Sequence, residues 1–454
     1  MKASGSTTFL ISDLLAQKIL SIGDGYRAKN SELSATGIPF ARVANIDGGF
    51  QFENADFFPL EDLEKVGDKV SRISDIVFTS KGTVGRFAFV KPATPQFVYS
   101  PQLCFWRVLN QDVIEPRFLY YWMHAREFRT QVDSVKGQTD MADYVSLSDQ
   151  RRMKITLPSL STQRRIADIL SALDDKIELN RQTNATLEAI AQAIFKEWFV
   201  DFNFPSGLGF EGFGDYRDYA AARLSGEPLH QANQGKDMVE SELGLIPRGW
   251  RVGKVGDVAA IKHGFAFKGE FFSEEENDDI LLTPGNFRIG GGFNYAKFKY
   301  YKGPYPQEYL LNRGDLIVTM TDLSKEGDTL GFPALVPTIL GKNLLHNQRI
   351  GKVEVNKNNS IKLYLYFSMQ QSDYRNYILS GATGTTVKHT SPSRICDCKI
   401  VLPSLNVLRM FENIVQPLID CVETNHIESN TLAQLRDSLL PKLLNGEVDV
   451  CTVI

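Results

Sequence analysis

The chain has 454 residues, of which 43% are hydrophobic and 23% are charged, and this length and balance predict two or three globular domains. No run of about 18 apolar residues occurs, so we expect no membrane-spanning helix, and the five scattered cysteines fit reduced thiols in the cytoplasm. The net charge of −4 does not exclude nucleic-acid binding, because it is unevenly distributed along the chain. Residues 1–157 carry one more basic than acidic residue, and residues 246–400 carry five more.

The first segment, residues 1–157, consists of short apolar runs broken by Gly, Asn and Asp. This pattern predicts a compact mixed domain of short strands with few helices. Within it, "SDIVFT" at 74–79 resembles "GDLIVT" at 314–319, and each is followed by a polar loop that contains glycine. Asp75 and Asp315 begin these matching strands, and an Asp at a strand edge is usually structural.

A heptad pattern follows in residues 158–202. From Ile166 to Trp198, residues recur at alternating steps of four and three, and the seam is apolar except at Asn180 and Asn184. A seam of more than four heptads is typical of a coiled coil. A buried Asn costs stability but fixes the register, because a slipped pairing leaves its amide unsatisfied. We therefore predict a long helix in which Asn180 and Asn184 set the helix–helix register.

Residues 203–245 are dense in Gly, Pro and acidic residues and are interpreted as a linker. The piece "GLGFEGFG" at 207–214 superficially resembles a nucleotide-binding glycine loop. No predicted strand precedes it and no clear helix follows, so the context that this motif requires is missing.

The rest of the chain repeats the first part. "KITLPSL" at 154–160 returns as "KIVLPSL" at 399–405, and the match continues without a gap for some forty residues. At this offset, Asn180 and Asn184 align with Asn425 and Ser429. The chain therefore contains an internal repeat, in which a domain and a long helix occur twice.

We predict an α+β fold with two mixed α/β domains that are related by a pseudo-twofold repeat. Two long helices separate the domains and form an antiparallel coiled coil of about 55 Å. The predicted segments are 1–157 (first domain), 158–202 (central helical region), 203–245 (linker), 246–402 (second domain) and 403–454 (C-terminal helical region).

We find no catalytic motif in the sequence. The six histidines form no metal-ligand spacing, and no Walker loop or nucleophile elbow occurs. Cys396 and Cys398 lack a second Cys pair, so buried thiols are a better interpretation than a metal site. We expect a chain that binds rather than catalyses, with no catalytic residue and no metal.

The repeated helical motif resembles a known family. "LPSLSTQRRIADILSALDDKIELN" at 157–180, together with "SELGLIPRGW" at 241–250, is similar to the specificity subunit of type I restriction-modification systems. The resemblance implies that each domain is a target-recognition domain for one half of a split, asymmetric DNA sequence, and that the helices set the unread spacer.

The resemblance also implies the partners. Two methylation subunits would bind S-adenosylmethionine and methylate adenine at N6, and two restriction subunits would use ATP and Mg, so that this cytoplasmic chain binds double-stranded DNA but no cofactor or membrane. It would be a DNA-recognition subunit rather than an enzyme. Two alternatives stay open: a self-contained DNA methyltransferase or restriction enzyme, and a coiled-coil adaptor that binds only proteins.

Residue type and loop position select the candidate DNA contacts. Arg and Lys pair with guanine edges, Asn and Gln with adenine, and other basic side chains hold phosphates. The predicted DNA-binding residues are Tyr26, Arg27, Lys29, Arg42, Asn45, Lys81 and Arg86 in the first domain, and His263, Lys268, Asn286, Lys325, Gln348, Arg349 and Lys388 in the second.

Overall fold

The computed structural model describes residues 6–46, 49–136, 143–204, 238–296, 298–356, 360–448 and 450. The chain divides into two compact units. Unit 1 comprises Met1–Glu178 with Asn430–Ile454, and unit 2 comprises Leu179–Ser429. The predicted linker 203–245 lies largely outside the described residues, and so does the glycine-rich piece 207–214.

Short strands and short helices make up most of unit 1. Its described strands are β1 (Thr7–Leu10), β2 (Leu20–Asp24), β3 (Ile38–Ala41), β4 (Asp56–Phe58), β5 (Ile76–Thr79), β6 (Phe87–Phe89), β7 (Val98–Tyr99), β8 (Leu103–Val108) and β9 (Lys154–Leu157). Its described α-helices are α1 (Ile11–Ala16), α2 (Pro116–His124), α3 (Arg126–Asp133), α4 (Leu147–Arg152) and the first half of α5 (Leu160–Phe195).

The strands of unit 1 form two main sheets. One has the order β2-β8-β5-β6 with antiparallel neighbours, and the other has the order β4-β3-β7, in which β3 and β7 are parallel. Every residue of β5 and nearly every residue of β8 is buried, as their apolar runs require of a strand covered on both faces. Strand β1 pairs with β9 and so brings the start of the domain to its end.

Unit 2 is built from the same kinds of element. Its described strands are β10 (Met238–Ser241), β11 (Gly244–Pro247), β12 (Arg251–Lys254), β13 (Ala259–His263), β14 (Phe272–Ser273), β15 (Asp279–Leu282), β16 (Lys299–Tyr301), β17 (Leu310–Leu311), β18 (Leu316–Thr319), β19 (Thr321–Asp322), β20 (Pro333–Leu335), β21 (Asn343–His346), β22 (Ile350–Val355), β23 (Lys388–His389) and β24 (Lys399–Leu402). Its described α-helices are the second half of α5, then α6 (Ile361–Ser368), α7 (Ser372–Ser380), α8 (Pro392–Cys396) and most of α9 (Leu405–Leu444).

The sheets of unit 2 repeat those of unit 1. The order β13-β22-β18-β20 corresponds to β2-β8-β5-β6, and β12 pairs with β24 as β1 pairs with β9. The parallel pair β15–β21 corresponds to β3–β7. The hairpin β10–β11, which begins inside the predicted linker, has no described counterpart in unit 1. The predicted repeat of two mixed α/β domains is therefore confirmed.

The two long helices run antiparallel in each unit. In unit 2, Asn180 contacts Ser429, while Asn184, one turn later on α5, contacts Asn425, one turn earlier on α9. In unit 1, Asp174 accepts a hydrogen bond from Arg436 at 2.6 Å. The predicted pair of long helices is confirmed, with 36 residues in α5 and 40 in α9. Among the described residues, no helix is both long and apolar enough to cross a membrane.

The helices also complete the domain cores. The core of unit 1 includes Ile166 and Leu170 of α5 and Leu443 of α9. The core of unit 2 includes Ile194 of α5 and Phe411 of α9. Each domain therefore buries apolar surface against the start of one helix and the end of the other, and burial at about 25 cal/mol per Å² fixes both helices to it.

Asp75 and Asp315 have the structural role that their strand-edge position suggests. Asp75 is fully buried and binds the guanidinium of Arg107 on β8 through two hydrogen bonds of 2.7 Å. Asp315 accepts a hydrogen bond of 2.7 Å from the ammonium of Lys352 on β22, the corresponding strand. Each carboxylate ties the strand that it precedes to the neighbouring central strand.

Candidate nucleic-acid interface

A tight turn joins β21 to β22 in unit 2. The amide of Ile350 donates to the carbonyl of Asn347 at 3.0 Å, which closes the turn around Gln348 and Arg349. Both of these side chains are exposed. The turn is fastened on both sides, because the Gln348 amide donates to Phe265 at 2.9 Å and the Arg349 carbonyl accepts from the Met320 amide at 2.9 Å. Its tip is therefore a rigid support for two long polar side chains.

Other predicted residues lie around this turn. His263, at the end of β13, pairs in register with Gly351, which follows the turn directly. Lys388 pairs with Asp322 in the β19–β23 ladder, whose neighbour Thr390 donates its amide to Met320 at 3.0 Å. We call this exposed edge, formed by residues 347–350, the end of β13 and the β19–β23 pair, the turn edge of unit 2.

A loop carrying Lys325 leaves the same edge. Asp322 accepts hydrogen bonds from the Ser324 amide at 2.7 Å and from the Thr329 hydroxyl at 2.6 Å, which hold the ends of the loop. Burial of Asp322 opposes ionisation, but these hydrogen bonds outweigh it and lower the pKa of the carboxyl. The structure thus brings together His263, Lys325, Gln348, Arg349 and Lys388, which are mostly basic and face solvent wholly or in part.

Unit 1 contains the same edge with different side chains. The amide of Leu103 donates to the carbonyl of Ser100 at 2.9 Å, and the amide of Ser80 donates to the carbonyl of Gln102 at 3.1 Å. The backbones of Lys81 and Tyr144 form an isolated antiparallel β-bridge, which corresponds to the β19–β23 pair of unit 2. We call this edge, formed by residues 100–103, the segment after β2 and the Lys81–Tyr144 bridge, the turn edge of unit 1.

The remaining predicted residues of unit 1 that stay exposed lie after β2. The Tyr26 amide donates to Tyr99 at 2.7 Å, directly before the turn of residues 100–103, so Arg27 and Lys29 follow close behind that edge. Both basic side chains are exposed. Tyr26 itself is half-buried and donates its hydroxyl to Glu32 at 3.0 Å. Arg86 is half-buried as well.

Two of the predicted DNA contacts have a different role. Asn286 is fully buried, and its carbonyl oxygen accepts from the Thr283 amide at 2.8 Å. Asn45 accepts from the Arg42 amide at 2.8 Å in the same way and donates to Gln51 at 2.9 Å. Both asparagines cap a short 3₁₀ turn, a role in which the Asx side chain replaces a main-chain acceptor. Burial removes Asn286 from the candidate interface, which corrects our expectation for that residue.

Two predicted basic residues are engaged in ion pairs. Arg42 donates to Asp56 at 2.6 Å, and Lys268 lies 3.8 Å from Glu270. Exposed pairs of this kind contribute at most about 1 kcal/mol, so they can exchange partners in solvent. Neither residue belongs to the turn edge of its unit as defined above.

The structure adds two residues that our sequence analysis did not select, Gln102 and Tyr144. Gln102 occupies the position of Arg349 in the matching turn and is exposed, and Tyr144 is 48% exposed. Tyr144 and His389 are separated by the repeat offset of 245 positions. His389 was not among the second-domain candidates either, so carrying those candidates across the offset reaches Asp143, one residue before Tyr144.

The four predicted register residues meet in unit 2. Asn180 and Asn184 are 3% and 5% exposed. The Asn180 amide donates to Glu428 at 2.7 Å and to Ser429 at 3.3 Å, and the Asn425 amide donates to Asn184 at 2.8 Å. Because each buried amide has a partner at this pairing, a slipped register leaves several of them unsatisfied.

Two clefts lie at matching positions of the repeat. In unit 2, a cleft of 560 Å³ is bounded by α6 and both long helices, and in unit 1 a cleft of 470 Å³ is bounded by α2 and both long helices. In the parts of the chain that the structure describes, no group of three or more His, Cys, Asp and Glu side chains could hold a metal ion. The residues that line the two clefts at the 245 offset are Tyr121 and Tyr366, Ala125 and Gln370, Asp174 and Ile419, and Asp437 and Gln192.

The chain and its fold are similar to known proteins. The sequence profile of the type I restriction modification DNA specificity domain matches residues 18–189 and 247–436. The HindI specificity subunit of Haemophilus influenzae is 26% identical over 88% of this chain and 92% of its own length. The MjaIX specificity subunit of Methanocaldococcus jannaschii is 26% identical over 83% of this chain and 78% of its own length. The crystal structure of a type I restriction-modification S subunit from M. genitalium shares the fold, with a TM-score of 0.55 and 15% identity over 97% of this chain and 96% of that one.

Proposed function

We propose, because this chain belongs to the type I restriction modification DNA specificity family, that each of its two mixed α/β domains reads one half of a bipartite DNA sequence. The repeated turn edge is the observation that carries this function. One backbone arrangement occurs twice, with Gln102 and Tyr144 on one copy and Arg349 and His389 on the other. The same backbone edge carries different side chains in the two domains, and different side chains pair with different base edges. This favours a DNA sequence whose two halves differ.

Catalysis belongs to the partner subunits in this proposal. The chain directs two methylation subunits, which bind S-adenosylmethionine, and two restriction subunits, which use ATP and Mg, and it binds neither cofactor itself. The two matching clefts support a partner that is present in two copies, because one partner surface can then meet the same elements twice. A self-contained enzyme and a protein-only adaptor are not favoured, since the relatives named above are specificity subunits.

Exchange of one domain tests the division of labour between the two. Replacing residues 1–157 with the equivalent block of a relative is expected to change one half of the methylated sequence and leave the other half unchanged. The cut after Leu157 keeps β1 and β9 together, and the donor should match this chain at Ile166, Leu170 and Leu443, which complete the core of unit 1. Methylome sequencing of a strain that also carries the methylation subunit gives the result.

Two controls accompany this exchange. The unmodified chain with the methylation subunit should methylate a bipartite sequence, and the chain alone with labelled S-adenosylmethionine should incorporate no methyl group. Incorporation by the chain alone would refute its role as a pure recognition subunit, and a change in both half-sequences would refute independent reading by the two domains.

The length of the helix pair is proposed to set the unread spacer. Inserting four residues after Asn180 lengthens α5 by about 6 Å and rotates its end by about 40°. One base pair advances about 3.4 Å and turns roughly 34–36°. Coiled coils absorb a four-residue insertion by local unwinding. We expect the same two half-sequences with one or two additional unread base pairs, measured by methylome sequencing. An active complex with an unchanged spacer would show that another element sets the distance.

A further inference from the structure

We propose that Gln102 and Arg349 each read one base, Gln102 an adenine in the half-sequence of the first domain and Arg349 a guanine in the half-sequence of the second. This inference rests on the function proposed above and adds which side chain reads which base. Gln pairs with the N6 and N7 edge of adenine through two hydrogen bonds, and Arg pairs in the same way with O6 and N7 of guanine.

The two residues occupy one position of one turn. Each is the third residue of a four-residue turn that leads from the second strand of a parallel pair, β7 or β21, to a central strand of a four-stranded sheet, β8 or β22. In each case the carbonyl oxygen of this third residue accepts from the first residue after the neighbouring strand, which is Ser80 in unit 1 and Met320 in unit 2. The two side chains therefore leave their domains from equivalent points.

The backbone of a glycine packs closely against each turn. A Cβ atom on Gly25 would lie 2.0 Å from the carbonyl oxygen of Ser100, and one on Gly264 would lie 2.2 Å from that of Asn347. Neither glycine has a positive φ, so close approach of the backbone is the reason for glycine at both positions. The close contact leaves the turn little freedom, which lowers the entropy cost of reading a base from its tip.

Both side chains are available to DNA. Gln102 and Arg349 are exposed, and in the described residues neither side chain has a hydrogen-bond or ion-pair partner. This differs from Arg107 and Arg313, whose guanidinium groups bind carboxylates. An Arg with free donors at a rigid tip can present two parallel N–H groups to one base.

The surroundings supply the positive charge that binding to phosphates needs. Lys81 and Arg27 lie on or directly behind the turn edge of unit 1, and Lys388 and the exposed Lys325 lie on or beside that of unit 2. His346, behind the second turn, adds no charge at neutral pH, because burial lowers its pKa to about 4. Phosphate contacts position a domain, and the side chain at the tip is left to specify the base.

The turns themselves do not depend on these side chains. The hydrogen bonds that close and fasten them use no side-chain atom of Gln102 or Arg349. Substitution by alanine therefore removes the base contact and leaves the support in place. This makes Gln102→Ala and Arg349→Ala suitable variants, since exposed substitutions outside such contacts change stability little.

The test uses the full chain with its methylation subunit in a strain that lacks the corresponding modification. We expect Gln102→Ala to relax one adenine position of one half-sequence, and Arg349→Ala to relax one guanine position of the other. Discrimination at that position should fall by about 5- to 150-fold, and the other half-sequence should be unchanged. Methylome sequencing measures the change, and competition binding with oligonucleotides substituted at each position gives the same readout for a variant that methylates slowly.

Matched variants separate the loss of a base contact from the loss of a positive charge. Lys302→Ala, which removes an exposed cation that lies outside the turn edge and is not a predicted DNA contact, should leave the methylated sequence unchanged. Lys388→Ala should weaken binding to all sequences equally and reduce its salt dependence. If the wild-type chain directs no bipartite methylation, the proposed function itself fails. If the wild-type site is bipartite but Gln102→Ala and Arg349→Ala leave it unchanged, or relax a different base or both halves, only the base assignment is overturned.

Discussion

Substitution of Asp75 by alanine is expected to lower the free energy of unfolding of unit 1 by about 3–5 kcal/mol. The Asp75 carboxylate is 0% exposed and Arg107 is 5% exposed. Without the carboxylate, the buried guanidinium keeps only the exposed Asp68 carboxylate, 3.9 Å away, as a charged partner, and this is far costlier than the loss of an exposed pair. Tyr99 also loses the oxygen that accepts its hydroxyl hydrogen at 2.7 Å.

Asp315→Ala provides the matched control, because Asp315 has the corresponding position in unit 2. Its side chain and that of Lys352 are 19% and 21% exposed, so the lysine left behind can be hydrated. We expect this variant to lose about 1 kcal/mol, the upper end for exposed pairs. The two substitutions remove one carboxylate each from the same topological position, one from a pair closed to solvent and one from a pair partly open to it.

Hydrogen exchange of the intact chain measures both effects unit by unit. Peptides that span β5 and β8 should exchange faster in Asp75→Ala by on the order of a hundredfold or more, while those that span β18 and β22 stay unchanged. The reverse pattern, with a much smaller increase, is expected for Asp315→Ala. Equal increases in the two variants would contradict the decisive role of burial.

Substitution of Gly264 by alanine is expected to destabilise unit 2 by roughly 3 kcal/mol, at the upper end of overpacking effects. The new methyl group would meet the backbone carbonyl of Asn347 at 2.2 Å, and backbone atoms cannot rotate away as a side chain can. Either β13 or the turn of residues 347–350 must move. Reading of the second half-sequence should therefore weaken as well, because the turn supports Gln348 and Arg349.

Gly269→Ala is the control for this prediction. Apart from Gly269 and its chain neighbours, no atom of the described residues lies within 4 Å of the Cβ position at Gly269, and its φ is not positive. Alanine there restricts the unfolded chain and should leave stability unchanged or raise it by up to about 1 kcal/mol. Thermal unfolding of the two variants, followed by hydrogen exchange in β13 and β22, distinguishes them. A Gly264→Ala protein as stable as Gly269→Ala would show that the close approach is not required.

The organisation of the molecule could be predicted from the sequence because its signals are local and periodic. Steps of three and four residues define a helix seam wherever it lies, and the predicted seams are covered by α9 and by α5 with the π-helical turn Lys196–Val200 that continues it. The offset of 245 positions carries one prediction from the first half of the chain to the second. Fold class, repeat and family therefore follow from patterns that need no knowledge of contacts.

Residue type, by contrast, could not identify the surface of each domain. Asn45 and Asn286 have the chemistry of adenine readers, but tertiary structure uses both as caps, because the amides that need an acceptor lie three residues before them in a folded turn. Gln102 gains its position because its carbonyl oxygen accepts a hydrogen bond from the amide of Ser80, the residue that follows β5. The caps need a turn at one particular place, and the contact of Gln102 joins two separate strands, so only the folded backbone decides which polar side chains the protein uses itself and which remain for DNA.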